Sequence, residues 1–109
     1  MRTQQKDIRR TTVLTTMAQI NDNVSSNGIW SDGTPWHMQR TATGEYTVNF
    51  DSRIFVLSGS IGPTATGRHF YKFEVVAAGQ VRVQTLDATG AAENSAGFDI
   101  TINVLDTRT

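Results

Sequence analysis

Few residues in this chain are of types and at spacings that could do chemistry. Two histidines, His37 and His69, are far apart in the sequence and fall in different candidate strands. A zinc site would need further His, Asp or Glu ligands converging on them, and no ligand-spacing motif occurs. The chain has no cysteine, which removes disulfides, thiolate metal sites and cysteine nucleophiles together. Its serines lack a G-x-S-x-G elbow, and Ser58, Gly59 and Ser60 read as a turn. Glu45, Asp51, Glu74 and Glu93 could supply a pair of carboxylates for glycoside hydrolysis, but in a small sandwich without a deep cleft they read as solvated acids. The glycines form neither a dinucleotide fingerprint nor a P-loop. Asp87, Glu93 and Asn94 share one polar loop, yet their spacing fails the EF-hand pattern for calcium. The expectation is a protein that is not an enzyme and holds no metal or cofactor.

Binding chemistry is better represented. Trp30 and Trp36 flank a turn at residues 31–35, with Pro35 restricting Thr34 to extended geometry. Two indoles around a turn can form a sugar-stacking platform or an interface anchor, or they can fill one end of a small core. One of the pair is expected inside and one outside, with no signal for which. At the N-terminus Arg2, Lys6, Arg9 and Arg10 stand against Asp7 alone, a local balance of +3 in a chain whose net charge is zero. A basic segment on an acidic body suits an acidic partner surface, including another copy of the chain. Four cations without interleaved aromatics make a poor nucleic-acid footprint, so that partner is not expected.

The elements that must position these residues follow from composition and periodicity. The length of 109 residues suits one domain. With 38% hydrophobic and 18% charged residues, the balance is that of a folded chain, not a disordered one. No stretch is long and apolar enough to cross a bilayer as a helix, and the N-terminus has no apolar region of the kind a secretory signal needs. Lack of cysteine favours folding in a reducing cytoplasm, or stabilisation by oligomerisation. Residues 1–28 are rich in Thr, Gln, Asn and Ser and read as an N-terminal arm and linker. Within them, residues 11–17 favour an extended strand with Val13, Thr15 and Met17 on one side. A helical stripe of Ile8, Val13, Met17 and Ile20 is the alternative. Residues 21–28 read as a loop.

From residue 29 to 109 the pattern becomes short alternating runs. Tyr46, Val48 and Phe50 share one face; so do Tyr71, Phe73 and Val75; so do Val81 and Val83. Phe98, Ile100, Ile102 and Val104 give the cleanest case, opposite Asp99, Thr101 and Asn103. Residues 36–41 and 53–60 add two further candidates. Period two with one apolar face predicts antiparallel sheets packed on one side and wet on the other. Ala-Thr-Gly recurs at residues 42–44, 65–67 and 88–90, where glycine supplies the positive φ that tight turns need. Seven or so short strands with regular turns predict an all-β antiparallel sandwich or barrel. The N-terminal arm is expected to add as a strand to a neighbour's open edge, with a disordered tail as the alternative.

Residues 39–50, a strand, a Thr-Gly turn and a Tyr-x-Val-x-Phe strand, resemble a hairpin of bacteriophage virion proteins. Residues 81–102, with Val-x-Val-x-Thr, an Asp-x-x-Gly turn, a polar loop and Phe-x-Ile-x-Ile, resemble the closing half of the same domains. Together they are similar to tail-fibre C-terminal domains and small capsid-associated proteins. The resemblance covers about residues 30–104. It implies an antiparallel sandwich of the jelly-roll or tumour-necrosis-factor-like kind and a homotrimeric structural protein of the virion, made in the host cytoplasm. Because no long shaft precedes the domain, a capsid decoration (cement) protein bound to the major capsid protein is expected first. A tail-fibre or receptor-binding domain that recognises a bacterial surface glycan is the alternative. The expected contact residues are Arg2, Lys6, Arg9, Arg10, Val13, Met17, Trp30 and Trp36, with no membrane partner.

Overall fold

The computed structural model describes residues 10–15, 25–63, 70–94 and 98–108. Eight strands follow in chain order: β1 (Arg10–Thr15), β2 (Ser25–Ile29), β3 (Pro35–Ala42), β4 (Glu45–Asn49), β5 (Ile54–Pro63), β6 (Phe70–Ala77), β7 (Gln80–Leu86) and β8 (Phe98–Asp106). They form one sheet of order β1-β8-β5 and another of order β2-β3-β4-β7-β6. Every pairing is antiparallel, and the two sheets share a single core. The chain is thus an all-β sandwich, as the alternation predicts, with no helix among the described residues.

The core is built by the period-two rule. In β8 the inward positions run Phe98, Ile100, Ile102, Val104 and Asp106, all buried, while the intervening residues are only partly covered. Tyr46 and Val48 of β4 and Val81 and Val83 of β7 face them from the larger sheet. Burial of each such aliphatic or aromatic side chain contributes about 1.5–3 kcal/mol. Aromatic pairs close the two ends. Trp30 meets Trp36 at 6.4 Å and Phe50 edge-on at 5.4 Å, whereas Phe98 meets Tyr46 at 5.2 Å and Tyr71 at 6.0 Å. Tilted and edge-to-face geometry is what the aromatic quadrupole favours.

Residues 1–28 do not stand apart as an arm and linker throughout. Residues 10–15 pair in register with residues 101–106 of the same chain. Leu14, not Val13, turns inward: Leu14 is buried and Val13 is 56% exposed. The strand therefore completes its own sheet. Residues 25–28, expected as loop, form with Ile29 the edge strand β2 on β3. Gly28 lies opposite Trp36 in that ladder, and an added Cβ there would come within 2.1 Å of the indole. The ring fills the space a side chain would occupy, a known way for an edge glycine to hold a strand. The rest of 1–28, including Arg2, Lys6, Arg9 and Met17, lies outside the described residues.

The turns follow the glycines. Gly44 and Gly90 of the Ala-Thr-Gly tripeptides have φ of 68° and 88°, while Gly67 lies outside the described residues. At Gly44 the backbone is also crowded: Thr85 O and the Glu93 backbone lie within 2.9 Å of where a Cβ would sit. The turn is held there by Asn94, whose Oδ1 accepts from the Gly44 N–H at 2.7 Å, and by Thr85 N–H donating to Gly44 O at 2.8 Å.

Candidate functional site

The Trp30–Trp36 turn is the most chemically dense part of the sandwich. Trp30 N–H donates to Thr34 O at 2.8 Å and Gly33 N–H to Trp30 O at 2.9 Å, closing the loop. Asp32 Oδ1 accepts from Thr34 N–H at 2.9 Å, an Asx-type turn that leaves Oδ2 facing the C-terminal segment. Arg108 receives it. The guanidinium donates to Asp32 Oδ2 at 2.7 Å, to Thr34 Oγ1 at 2.6 Å, and to both carboxylate oxygens of Asp106 at 3.0 and 2.7 Å. One planar fork thus ties the β2–β3 turn to the end of β8, which a flexible lysine would not do as well.

The electrostatics follow that geometry. Burial pushes Asp32 upward, but hydrogen bonds from Thr34 and the Arg108 charge outweigh it and hold the carboxyl below its usual range. Arg108 is held further into its charged form, mainly by Asp106. Next to it, Asp51 is brought down to about 2 by hydrogen bonds from the Arg53 side chain and backbone. Thr107 closes the cluster by donating its N–H and hydroxyl to Arg53 O at 3.0 and 2.7 Å. Each acid here meets a donor, so the arrangement works as a clasp and presents no open carboxylate pair.

The sequence-derived contact residues separate into distinct fates. Trp30 and Trp36 are both buried, at 0% and 2% exposure, so neither indole can stack on a ligand. The expectation that one stands at the surface is corrected. Packing decides it: Trp30 sits between Trp36 and Phe50, and Trp36 lies on Gly28. Neither indole N–H meets an acceptor among the described residues, so both rings serve as apolar volume. Val13 is exposed on the outer face of the smaller sheet. Arg10 opens β1, its backbone opposite Asp106.

Other candidates are similarly engaged. Asp87 Oδ1 accepts from the Thr89 N–H and hydroxyl and from the Ala91 N–H, which lowers its pKa and shapes the turn. Asn94, which shares that polar loop, is bound to Gly44. His37 lies on the outer face of the larger sheet, with Nδ1 at 2.7 Å from Asn27 Oδ1 and Nε2 at 3.4 Å from Ser25 Oγ; His69 lies outside the described residues. Among the described residues no group of three or more His, Asp or Glu is placed to hold a metal, and no pocket opens.

What the sandwich presents instead is a broad polar sheet face. The outward rows of the five-stranded sheet place His37 beside Asn49, Asn49 beside Gln80, and Thr47 beside Arg82. Neighbours cross-link, with Gln80 Nε2 donating to Asn49 Oδ1 at 2.9 Å and Arg82 to Glu74 at 2.8 Å. Sequence reasoning missed Asp106 and Arg108 altogether. The only available signal was an acid and a base two residues apart just past a run of alternating apolar positions. No protein-family model matches the chain, nor does any curated protein or solved structure.

Proposed function

We propose that this protein is a structural component of a bacteriophage virion that binds and stabilises the capsid shell. The virion assignment rests on the resemblance of residues 39–50 and 81–102. The observation that supports a docking role is how the reactive side chains are used. Both tryptophans fill the core, and Asp32, Asp51, Asp87 and Arg108 hold turns and termini together. What remains for partners is flat sheet surface and the basic segment that leads into β1.

In this reading Arg2, Lys6, Arg9 and Arg10 approach an acidic surface on the major capsid protein, and the sandwich lies against the shell. The reaction is association alone, and repeated weak contacts on a homotrimer would raise avidity without tight individual sites. The glycan-binding alternative loses its stacking platform, since the indoles that carried it are in the core, and no other observation favours it.

The decisive experiment is co-sedimentation with capsid shells that lack the protein. Removing residues 1–9 spares β1 and its buried Leu14, so the sandwich should keep its circular-dichroism spectrum. Binding by the truncated form is expected to fall sharply, and binding by the full chain to weaken with salt, since exposed charges are screened beyond about 8 Å at physiological ionic strength. Undiminished binding by the truncated chain would rule out the basic segment, and failure of the full chain to bind shells would rule out the capsid role.

A further inference from the structure

Asn27 and Gly28 are the chain's one Asn-Gly pair. That dipeptide suits a tight hairpin turn, yet here it lies inside a strand, β2. It is also chemically labile. Glycine has no side chain to obstruct its own amide, so the Gly28 nitrogen can reach the Asn27 side-chain carbon wherever the backbone is free to turn. Attack joins Gly28 N to Asn27 Cγ and breaks the Cγ–Nδ2 bond. Nδ2 leaves as ammonia, carrying the Gly28 amide proton. Water then opens the cyclic imide at Cγ to give aspartate, or at the Asn27 backbone carbonyl carbon to give isoaspartate.

In the sandwich both reacting groups are held. Trp30 N–H bonds to Thr34 O at 2.8 Å, and bonded pairs alternate along an antiparallel ladder. Two residues further along, Gly28 and Trp36 are therefore a bonded pair, which occupies the Gly28 amide. Asn27 and His37 form the non-bonded pair beside it, where facing side chains come closest. There His37 Nδ1 lies 2.7 Å from Asn27 Oδ1, and His37 Nε2 lies 3.4 Å from Ser25 Oγ. With the side-chain amide anchored to β3 and the Gly28 amide in the ladder, ring closure lacks its near-attack geometry.

The protection lasts only while β2 stays paired. β2 is the outermost strand of the larger sheet and none of its residues is fully buried, the kind of element that opens at small cost. Asp32 and Gly33 make the contrast. Gly33 N–H is held by Trp30 O, and the Asp32 carboxylate is held by Thr34 and Arg108 in a turn tied to β8.

We propose that Asn27 is a deamidation site that reacts when β2 leaves β3, with His37 as the residue that restrains it. The two products differ in consequence. Aspartate keeps the backbone and sets a carboxylate beside His37. Isoaspartate adds a methylene to the main chain, so β2 cannot hold register with β3 on both sides of residue 27, and the Trp36 indole loses its seat on Gly28. The inference stands apart from the virion reading, since it concerns the free protein and is tested without capsids.

The test holds the full chain at mildly alkaline pH, native and in guanidinium chloride, and follows conversion by peptide mass mapping. In denaturant Asn27 should convert ahead of the other asparagines. In the native protein it should convert at least about tenfold more slowly, the protection a paired edge strand gives. His37→Ala, at an exposed position, should keep the circular-dichroism spectrum, speed native conversion several-fold and leave the rate in denaturant unchanged. Asn27→Asp should fold with the tryptophan emission of the wild type, whereas the isoaspartate form, refolded from denaturant, should emit further to the red. Native conversion as fast as in denaturant, Asn27 no more labile in denaturant than Asn49 or Asn94, no acceleration by His37→Ala, or wild-type emission from the isoaspartate form would each overturn the proposal.

Discussion

The residue with the most structural consequence is Arg108. Its partner Asp106 has a side chain 1% exposed, while Arg108 itself is 23% exposed. A carboxylate so covered needs the fork of donors that the guanidinium supplies. Removing one member of a buried ion pair costs more than the pair contributes, because the other charge is left without compensation. Arg108→Ala should therefore lower the unfolding free energy by about 3 kcal/mol, the low end of the usual range because the guanidinium edge reaches water. Arg53 offers the contrast. It also forks onto an aspartate, Asp51, but its side chain is 60% exposed, and solvent screens such pairs. Arg53→Ala should lower stability by clearly less than Arg108→Ala. Urea denaturation of the two variants measures this, and equal effects would mean that burial of Asp106 is not what makes the Arg108 clasp matter.

At the scale of elements, the same reasoning explains what the sequence shows and hides. The strands β4, β7 and β8 are legible because each alternates cleanly, with Tyr46 and Val48, Val81 and Val83, or Phe98 through Val104 on one face. β2 is not legible. Ser25, Ser26, Asn27 and Gly28 read as loop, yet they pair with β3, where the Trp36 indole crosses the ladder and covers Gly28 and His37 bonds to Ser25 and Asn27. Those contacts belong to the pair of strands and not to either alone. β1 is legible as extended, but its periodicity does not say whose edge it joins; Leu14 in the core answers that. Alternation also hides Asp106, because a charged residue at an inward position reads as the end of a strand. The prediction at this scale concerns Gly28→Val. The new side chain would clash with Trp36 and displace the ring, at a cost of about 1–3 kcal/mol typical of overpacking. Tryptophan emission should shift to the red as the indole meets water. Unchanged emission and stability would show that Trp36 does not need the space above Gly28.

At the scale of the whole molecule the acids act together. Asp32, Asp51 and Asp87 are all held below their ordinary range, Asp51 down to about 2. An acid whose folded pKa is depressed binds its proton more readily when the chain is unfolded. Its stabilising effect is thus complete above the unfolded value of about 3.9 and is lost as pH falls toward the folded one. The sandwich should lose stability between about pH 4 and pH 2, and these three groups should add no slope above about pH 5. A second effect runs in the same direction. A chain with 10 acids and 10 strong bases becomes strongly cationic once its carboxylates are protonated, and self-repulsion then opposes compactness. Salt separates the two. Added salt screens general repulsion between exposed charges, but it leaves largely intact the hydrogen bonds that Asp51 accepts from Arg53 and that Asp87 accepts from Thr89 and Ala91. In high salt the urea midpoint should still fall across that window, and Asp51→Asn should flatten the fall. If salt abolishes the acid limb entirely, the net charge of the chain governs it and the local hydrogen bonds to these aspartates do not.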